Sequence, residues 1–268
     1  MLLNVILSVV LITQNEEANL GRTLESVMPL VGGGKGEIIV VDSGSTDRTL
    51  EIAQSFGAKI FPEPWKGFAL QKNSAIEKAA GAWVLQLDAD EPLEPELCSE
   101  LAALLVSGLD GSVAGYFIPR KNFFLGRWIR HGGFYPDPKL RLIRRGAGKF
   151  EEYGAHPTIK LNEGLKAGQT EHAMLHYAYP TLRGYIDHMN SYSSMGAKVA
   201  VERGKRGFSL LDIVVRPWLT FIYNYFFRLG FLDGREGLLL HLYHSVYVSW
   251  KYAKVWELAR TKSASSQS

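Results

Sequence analysis

The sequence predicts an α/β protein in which a mixed, mostly parallel sheet is flanked by helices and followed by an aromatic-rich helical appendage. Three observations predict it. Before residue 115, short Val-, Ile- and Leu-rich runs alternate with amphipathic stretches of about ten residues, the pattern of strands joined by helical crossovers. Charge divides at the same point: residues 1–115 carry 7 Lys+Arg and 16 Asp+Glu (net −9), residues 116–268 carry 23 and 11 (net +12). Aromatics divide likewise, with 5 of 31 in the first part and all 12 tyrosines in the second.

Taken in order, Val5–Ile12 reads as a buried strand and 17–28 as a helix with Leu20, Leu24 and Val27 on one face. Pro29 and the glycines at 32–34 and 36 break the chain before a second strand at 37–42. A helix over 46–56 stops at Gly57, a short strand covers 59–61, a helix runs over 68–80, and 83–88 forms another strand. A further helix covers 94–106. Beyond 115, strands are predicted at 115–119 and 139–143 around a Gly-, Trp- and Arg-rich loop, then helices over 185–201, 210–229 and 238–258. This divides the chain into a domain over 1–180 with an internal change at 115, a helical appendage over 181–260, and a Ser-rich tail over 261–268 predicted to be disordered.

Several classes are excluded. The lone Cys98 leaves no disulfide framework and no Cys-cluster metal site, suits a reducing cytosol, and sits where a packing role is expected. The apolar start lacks a basic leader and a small-residue cleavage site, so no secretory signal is predicted. The charge-free apolar runs at 217–227 and 237–250 fall short of the roughly 18–20 residues that span a bilayer. No Gly-x-Gly-x-x-Gly follows the first strand, which disfavours a dinucleotide dehydrogenase.

In parallel sheets, ligands sit beyond the carboxyl ends of the strands. Here those ends read Thr13-Gln-Asn-Glu16, Asp42-Ser-Gly-Ser-Thr-Asp47 and Asp88-Ala-Asp90-Glu91. Two carboxylates one residue apart can hold Mg²⁺ or Mn²⁺ through oxygen while leaving room for phosphate oxygens. The same tripeptide is also a common solvated turn. Asp42 can accept from the imide N–H of a uracil-like base, or the segment can be a strand-to-helix turn capped by Ser45, Thr46 or Asp47. Asn15, Glu16 and Glu17 carry the same two readings, ligand contact or an acidic helix start.

The segments Ser8-Val-Val-Leu-Ile-Thr-Gln-Asn-Glu-Glu17, Glu37-Ile-Ile-Val-Val-Asp-Ser-Gly-Ser-Thr-Asp47, Gln71-Lys-Asn73 and Gly81-Ala-Trp-Val-Leu-Gln-Leu-Asp-Ala-Asp-Glu91 resemble family 2 glycosyltransferases of the GT-A fold, over about the first 145 residues. Gly133-Phe-Tyr-Pro-Asp137, Leu140-Arg-Leu-Ile-Arg-Arg145, Leu175-His-Tyr177 and Gly230-Phe-Leu-Asp-Gly234 are similar to the lipopolysaccharide inner-core β-1,4-glucosyltransferases and their relatives. The resemblance implies a hexosyltransferase that uses a UDP-sugar, UDP-glucose above all, and inverts the anomeric centre. It places Thr13, Asn15, Glu16 and Asp42 around the nucleotide, Lys72 or Asn73 against the donor, Asp88 at ribose or metal, and Asp90 on Mg²⁺ or Mn²⁺. An inverting transfer needs a carboxylate to take the acceptor hydroxyl's proton. Relatives carry one after a Gly-Gly-Phe segment, so Asp137 is the expected base, with Glu151 and Glu152 as second choices and a Pro-Asp-Pro turn as the structural alternative for Asp137. The Val-His-Glu of lipopolysaccharide relatives is replaced by Ala155-His156-Pro157. His156 and His176 carry low weight as metal or phosphate ligands.

Arg120, Lys121, Arg127, Arg130, His131, Lys139, Arg141, Arg144, Arg145 and Lys149 crowd into 30 residues. Nucleic acid binds such clusters, but the acidic strand ends and the sugar-transfer motifs favour an anionic glycolipid or lipopolysaccharide-core acceptor, with no nucleic acid. Trp218, Phe221, Ile222, Tyr225, Phe226 and Leu229 recur at helical spacing between Arg216 and Arg228. Such a stretch lies in a membrane interface without crossing it, or packs as core. The expected protein is therefore a metal-dependent glycosyltransferase, cytoplasmic and peripheral on a bacterial inner membrane. The alternatives are a polyprenyl-phosphate sugar transferase and a non-catalytic nucleotide-sugar or nucleic-acid binding protein.

Overall fold

The computed structural model describes residues 6–107, 113–151, 157–205 and 207–265. They fall into two compact units; the chain leaves the first after Arg120, returns at Asp137, and leaves it finally after His176.

The first unit is built on a seven-stranded sheet of order β11-β5-β8-β4-β1-β2-β3. The strands are β1 (Leu7–Thr13), β2 (Gly36–Asp42), β3 (Lys59–Pro62), β4 (Trp83–Gln86), β5 (Val113–Ile118), β8 (Lys139–Arg144) and β11 (Lys166–Gln169). β4, β1, β2 and β3 are parallel, and β8 runs antiparallel between β4 and β5. Helices α1 (Leu20–Val31), α2 (Thr49–Ser55), α3 (Phe68–Glu77) and α4 (Pro95–Ser107) flank it, and β9 (Gly148–Glu151) pairs with β10 (Thr158–Leu161). Side chains alternate across a strand, so β1 serves two cores. Leu7, Val9 and Leu11 pack with Leu20, Leu24 and Val27 of α1 and Leu97 and Leu101 of α4. Val10 packs with Ala75 and Ile76 of α3 and with Phe150. Burial on both faces is why these strands read as continuous apolar runs.

The second unit holds the antiparallel pair β6 (Arg120–Phe124) and β7 (Arg127–Trp128), joined in one sheet by β12 (Met174–Tyr179). Its helices are α5 (Leu182–Glu202), α6 (Arg216–Ile222) and α7 (Gly234–Ser265). Phe124, Ile129, Tyr185, Met189 and Leu240 form one core, and Ala197, Val201 and Val255 another. Lys254 fastens α7 to α5: Nζ donates to the Asn190 carbonyl and side-chain oxygens (2.8 and 2.6 Å) and to Ser193 Oγ (2.7 Å).

The helices depart from the sequence expectations in four places. α1 continues through Pro29 to Val31, and the glycines alone end it. α2 begins at Thr49 instead of 46, because residues 42–48 are spent on the hydrogen-bonded loop described below. The single helix expected over 210–229 is interrupted by π-turns at Leu211–Val215 and Tyr223–Phe227 on either side of α6. α7 runs to Ser265, five residues into the segment predicted to be disordered. No helix among the described residues is long and apolar enough to cross a membrane.

Candidate active site

Three strand ends of the first unit carry the polar clusters. Beyond β1 and β2 the two loops are laced together. Asp42, 2% exposed, accepts from Thr13 Oγ1 (2.9 Å), from the Gly44 and Ser45 N–H groups (2.9 and 2.8 Å) and from Ser45 Oγ (2.5 Å). Asn15 sits at φ 56°, in the left-handed region, and its Oδ1 accepts from Thr46 N at 2.8 Å. The Glu16 N–H donates to Thr49 Oγ1 (2.7 Å) and that of Glu17 to Asp47 Oδ2 (3.1 Å). Asp47 Oδ1 in turn accepts from Thr49 N and Thr49 Oγ1, one residue ahead of the N-cap position, Arg48. Thr13, Asn15 and Asp42 thus share the work of fixing this corner; Glu16 keeps a carboxylate raised above its ordinary range by burial and by Asp88 and Asp47.

Beyond β4 the charges alternate along a chain of contacts. Lys72 Nζ meets Asp88 Oδ1 at 2.5 Å, and Arg141 Nη2 meets Asp88 Oδ2 at 2.8 Å and Glu91 at 2.7 Å. Arg120 Nη1 meets Glu91 at 2.9 Å, Arg120 Nη2 meets Asp137 Oδ2 at 2.6 Å, and Lys139 meets Asp137 Oδ1 at 2.7 Å. Arg141 also donates to Gln86 Oε1. Burial pushes the Asp88 carboxyl upward, but Lys72 and Arg141 outweigh it and hold Asp88 well below the carboxylate range. Glu91, with no exposed surface, is likewise held low by Arg141 and Arg120 against burial.

Asp90 stands outside this pattern. Burial, then the charges of Glu91, Asp88 and Glu16, push it up to about 7. His176 Nε2 lies 3.6 Å from Asp90 Oδ2. Burial and Arg120 lower that imidazole to about 3, so it is neutral at physiological pH. A half-buried carboxylate crowded by three acids beside a neutral imidazole is a place that a divalent cation would satisfy, because the cation removes the repulsion that now raises Asp90. Asp90 and His176 are thus the pair a divalent cation could draw on; among the described residues no three His, Cys, Asp or Glu side chains stand together as a ready-made cluster, and Asp88 already has Lys72 and Arg141 on its two oxygens.

Other expected site residues are placed differently. Asn73 does not point to a donor: its amide donates to the Phe150 carbonyl (2.9 Å) and accepts from Phe150 N (2.8 Å), clamping α3 to β9. Lys72 is the member of that pair that reaches the acidic cluster. Glu151 lies on β9, 3.6 Å from Lys160 Nζ. Glu152 and His156 lie outside the described residues. Asp137 is a poor proton acceptor as placed, since Arg120 and Lys139 outweigh its burial and hold it at about 2, and a general base works best with a pKa near the operating pH. Arg120 and Arg141, grouped in the sequence with an acceptor-facing basic surface, are buried in the ion-pair chain instead.

With these acids, basic groups and strand ends in view, the match to known sequences decides the class. Residues 8–163 match glycosyl transferase family 2. The chain belongs to this family. Among its relatives is the lipopolysaccharide core biosynthesis glycosyltransferase LpsC of Rhizobium meliloti, 31% identical over 257 residues, covering 94% of this chain and 92% of that one. An uncharacterized glycosyltransferase of Rickettsia typhi is 29% identical over 263 residues, 94% of this chain and 87% of that one. A Pyrobaculum calidifontis mannosyltransferase, solved in complex with GDP-Man and Mn²⁺, aligns with a TM-score of 0.55 at 16% identity, over 93% of this chain and 86% of that one. The fold is GT-A and the protein is a family 2 glycosyltransferase, an enzyme, which removes the non-catalytic alternative.

Proposed function

We propose that this glycosyltransferase moves a hexose, glucose by the motif resemblance, from a UDP-sugar to a saccharide of the lipopolysaccharide core or a related surface glycolipid, with inversion. The observation that carries the donor half is Asp90: a half-buried carboxylate with no lysine or arginine partner among the described residues, beside His176, just beyond the end of β4. Asp90, with His176 beside it, would hold Mg²⁺ or Mn²⁺, and Asp88, two residues away in the chain, would join only by releasing one of its two cations. When bound, the metal supplies charge neutralisation for the departing diphosphate. The chain's own residues do the rest. Glu16 and the Asn15–Thr46 corner offer polar groups to the nucleoside, and Lys72 and Arg141 add positive charge that stabilises the negative charge developing on the leaving group.

The acceptor half rests on the relatives named above and on the basic second part of the chain. Attachment to the cytoplasmic face of the inner membrane is read from the segment over 208–232, where Phe208, Leu210, Leu211, Trp218, Tyr223 and Phe227 are each more than half exposed. Aromatic and apolar groups bordered by arginines suit a bilayer interface.

Asp137 favours a second reading of the acceptor. A carboxylate at about 2 draws a proton poorly from a sugar hydroxyl, whereas a polyprenyl phosphate attacks through an oxygen that is already ionised. Asp137→Asn separates the two: hydroxyl attack with Asp137 as base loses roughly 10²–10⁴-fold in rate, and phosphate attack keeps its rate. The whole proposal is tested by titrating UDP with and without Mn²⁺. Metal-dependent binding, lost in Asp90→Ala, is the expected result; metal-independent binding, or none, overturns the site. A donor screen against core and polyprenyl-phosphate acceptors then fixes the sugar.

A further inference from the structure

The second unit holds a group of side chains that the transfer reaction does not use, along Trp128-Ile-Arg-His-Gly-Gly133. Asp233, 2% exposed, anchors this loop. It accepts from Arg130 N at 3.2 Å and His131 N at 2.8 Å, and His131 Nδ1 lies 3.0 Å from its Oδ1. The Gly132 N–H donates to the Arg228 carbonyl at 2.8 Å. Gly132 and Gly133 adopt φ of 67° and 86°, where L side chains are strained. Their neighbours are also too close for one: a Cβ on Gly132 would stand 1.9 Å from the His241 ring, and one on Gly133 2.1 Å from Arg228 Nη1. The loop is therefore fixed in shape before any ligand arrives, with the Arg228 guanidinium lying against it.

The loop presents cations. The Arg130 guanidinium rests 4.1 Å from the Trp128 ring centroid and Lys121 Nζ 4.7 Å from the same ring. Stacking on the indole holds a guanidinium extended without neutralising it. Arg130 and Arg228 are both exposed, and no carboxylate among the described residues pairs with either. His131, with Nδ1 engaged by Asp233, keeps Nε2 for a ligand. Two planar forks and an imidazole on or against one short loop match the several oxygens of a phosphate better than the two of one carboxylate.

We propose that this loop, together with Arg228, binds a phosphate group carried by the acceptor saccharide. The assignment rests on the anionic glycolipid acceptor proposed above and names the chemistry by which it is recognised. The source of the phosphate is the saccharide and not a phospholipid headgroup, because the glycine-tightened, Asp233-anchored loop defines a small fixed site, whereas headgroup attraction needs only diffuse charge.

The test titrates full-length protein with de-O-acylated lipopolysaccharide core oligosaccharide, its phosphates intact or removed with hydrofluoric acid, and in parallel with UDP plus Mn²⁺. The wild type is expected to bind the phosphorylated form at least about tenfold more tightly, the scale of one lost charged hydrogen bond. Arg130→Gln/Arg228→Gln is expected to bind both forms alike, with UDP binding and circular dichroism unchanged; Arg130→Gln alone, at an exposed side chain, serves should the double variant misfold. Equal binding of the two forms by the wild type, or a preference that survives the substitutions, overturns the site. Loss of metal-dependent UDP binding by the wild type overturns the donor reading instead. Flotation on phosphatidylglycerol vesicles separates the sources: variants that lose flotation but keep the oligosaccharide preference assign these arginines to lipid headgroups and overturn the proposal.

Discussion

Arg141 is the cation whose removal is most consequential for the first unit. Its side chain, 6% exposed, touches Asp88 at 2.8 Å and Glu91 at 2.7 Å. At an effective dielectric near 20, each contact amounts to roughly 6 kcal/mol of gross attraction, most of it offset by the cost of burying the charges. Breaking such a pair by deleting one partner costs about 3–5 kcal/mol, because the carboxylates stay buried without their counter-ion. Arg141→Met is therefore expected to lower the unfolding free energy by about that amount in urea at pH 7. Lys72 and Arg120 still hold one carboxylate each, which favours the lower end. The sign with pH follows: without Arg141, Asp88 and Glu91 have folded pKa values raised relative to wild type, so protonation relieves the variant. The deficit is largest at neutral pH and shrinks as pH falls through those raised values. Arg141→Met/Glu91→Gln is expected to recover at least about 2 kcal/mol, since the unpaired charge is removed with its partner. A loss below about 1 kcal/mol in Arg141→Met, or no recovery in the double variant, refutes the reasoning.

The remaining predictions concern other parts of the chain. Asp137, lowered from 3.8 to about 2, contributes stability that is full above pH 4 and lost as pH falls from about 4 to 2; the shift corresponds to about 2 kcal/mol, and Asp137→Asn is expected to flatten the acid limb of an unfolding-versus-pH curve. A Cβ on Gly81 would stand 2.7 Å from Ser8 N and 2.8 Å from the Leu7 carbonyl carbon, so Gly81→Ala is expected to cost about 1–3 kcal/mol by overpacking, read as a lowered urea midpoint. Burial pushes the Cys98 thiol up to about 11; the native protein should resist a thiol reagent at pH 8 and react fully in denaturant, and rapid native labelling would contradict its packing role. Trp218→Ser/Phe227→Ser is expected to abolish flotation on anionic vesicles while leaving UDP binding intact.

The central strands were readable because burial on both faces leaves a run such as Leu7–Ile12 with little except apolar residues. The Asp88-Ala-Asp90 pair was readable because it follows such a strand directly. What its two acids do was not readable, since spacing alone says nothing of Lys72 and Arg141, which arrive from α3 and β8 and neutralise one carboxylate while leaving the other crowded by acids. β6, β7, β9 and β10 were missed for a related reason. Lys149, Lys160 and Arg127 interrupt their apolar pattern, and pairing partners rather than periodicity define them. Asp137 shows the limit most clearly: its position after Gly132-Gly133-Phe134 suggested a base, and the Arg120 guanidinium that pairs with it lies 17 residues away in sequence.

The excursion of residues 121–136 constrains the order in which the chain is completed on the ribosome. Arg130 and His131 are synthesised about a hundred residues before Asp233, the carboxylate that fixes their backbone, so this loop emerges long before its anchor exists. No single cut separates the two units either. A fragment beginning at 177 would carry Asp233 and Arg228 without the N–H donors they hold, leaving a buried carboxylate uncompensated. Separate expression of the second unit is then expected to require residues 121–136 to be spliced back by a linker, whereas carboxyl-terminal truncations that stop short of 233 should release the loop as a protease-sensitive site while the sheet of the first unit remains intact.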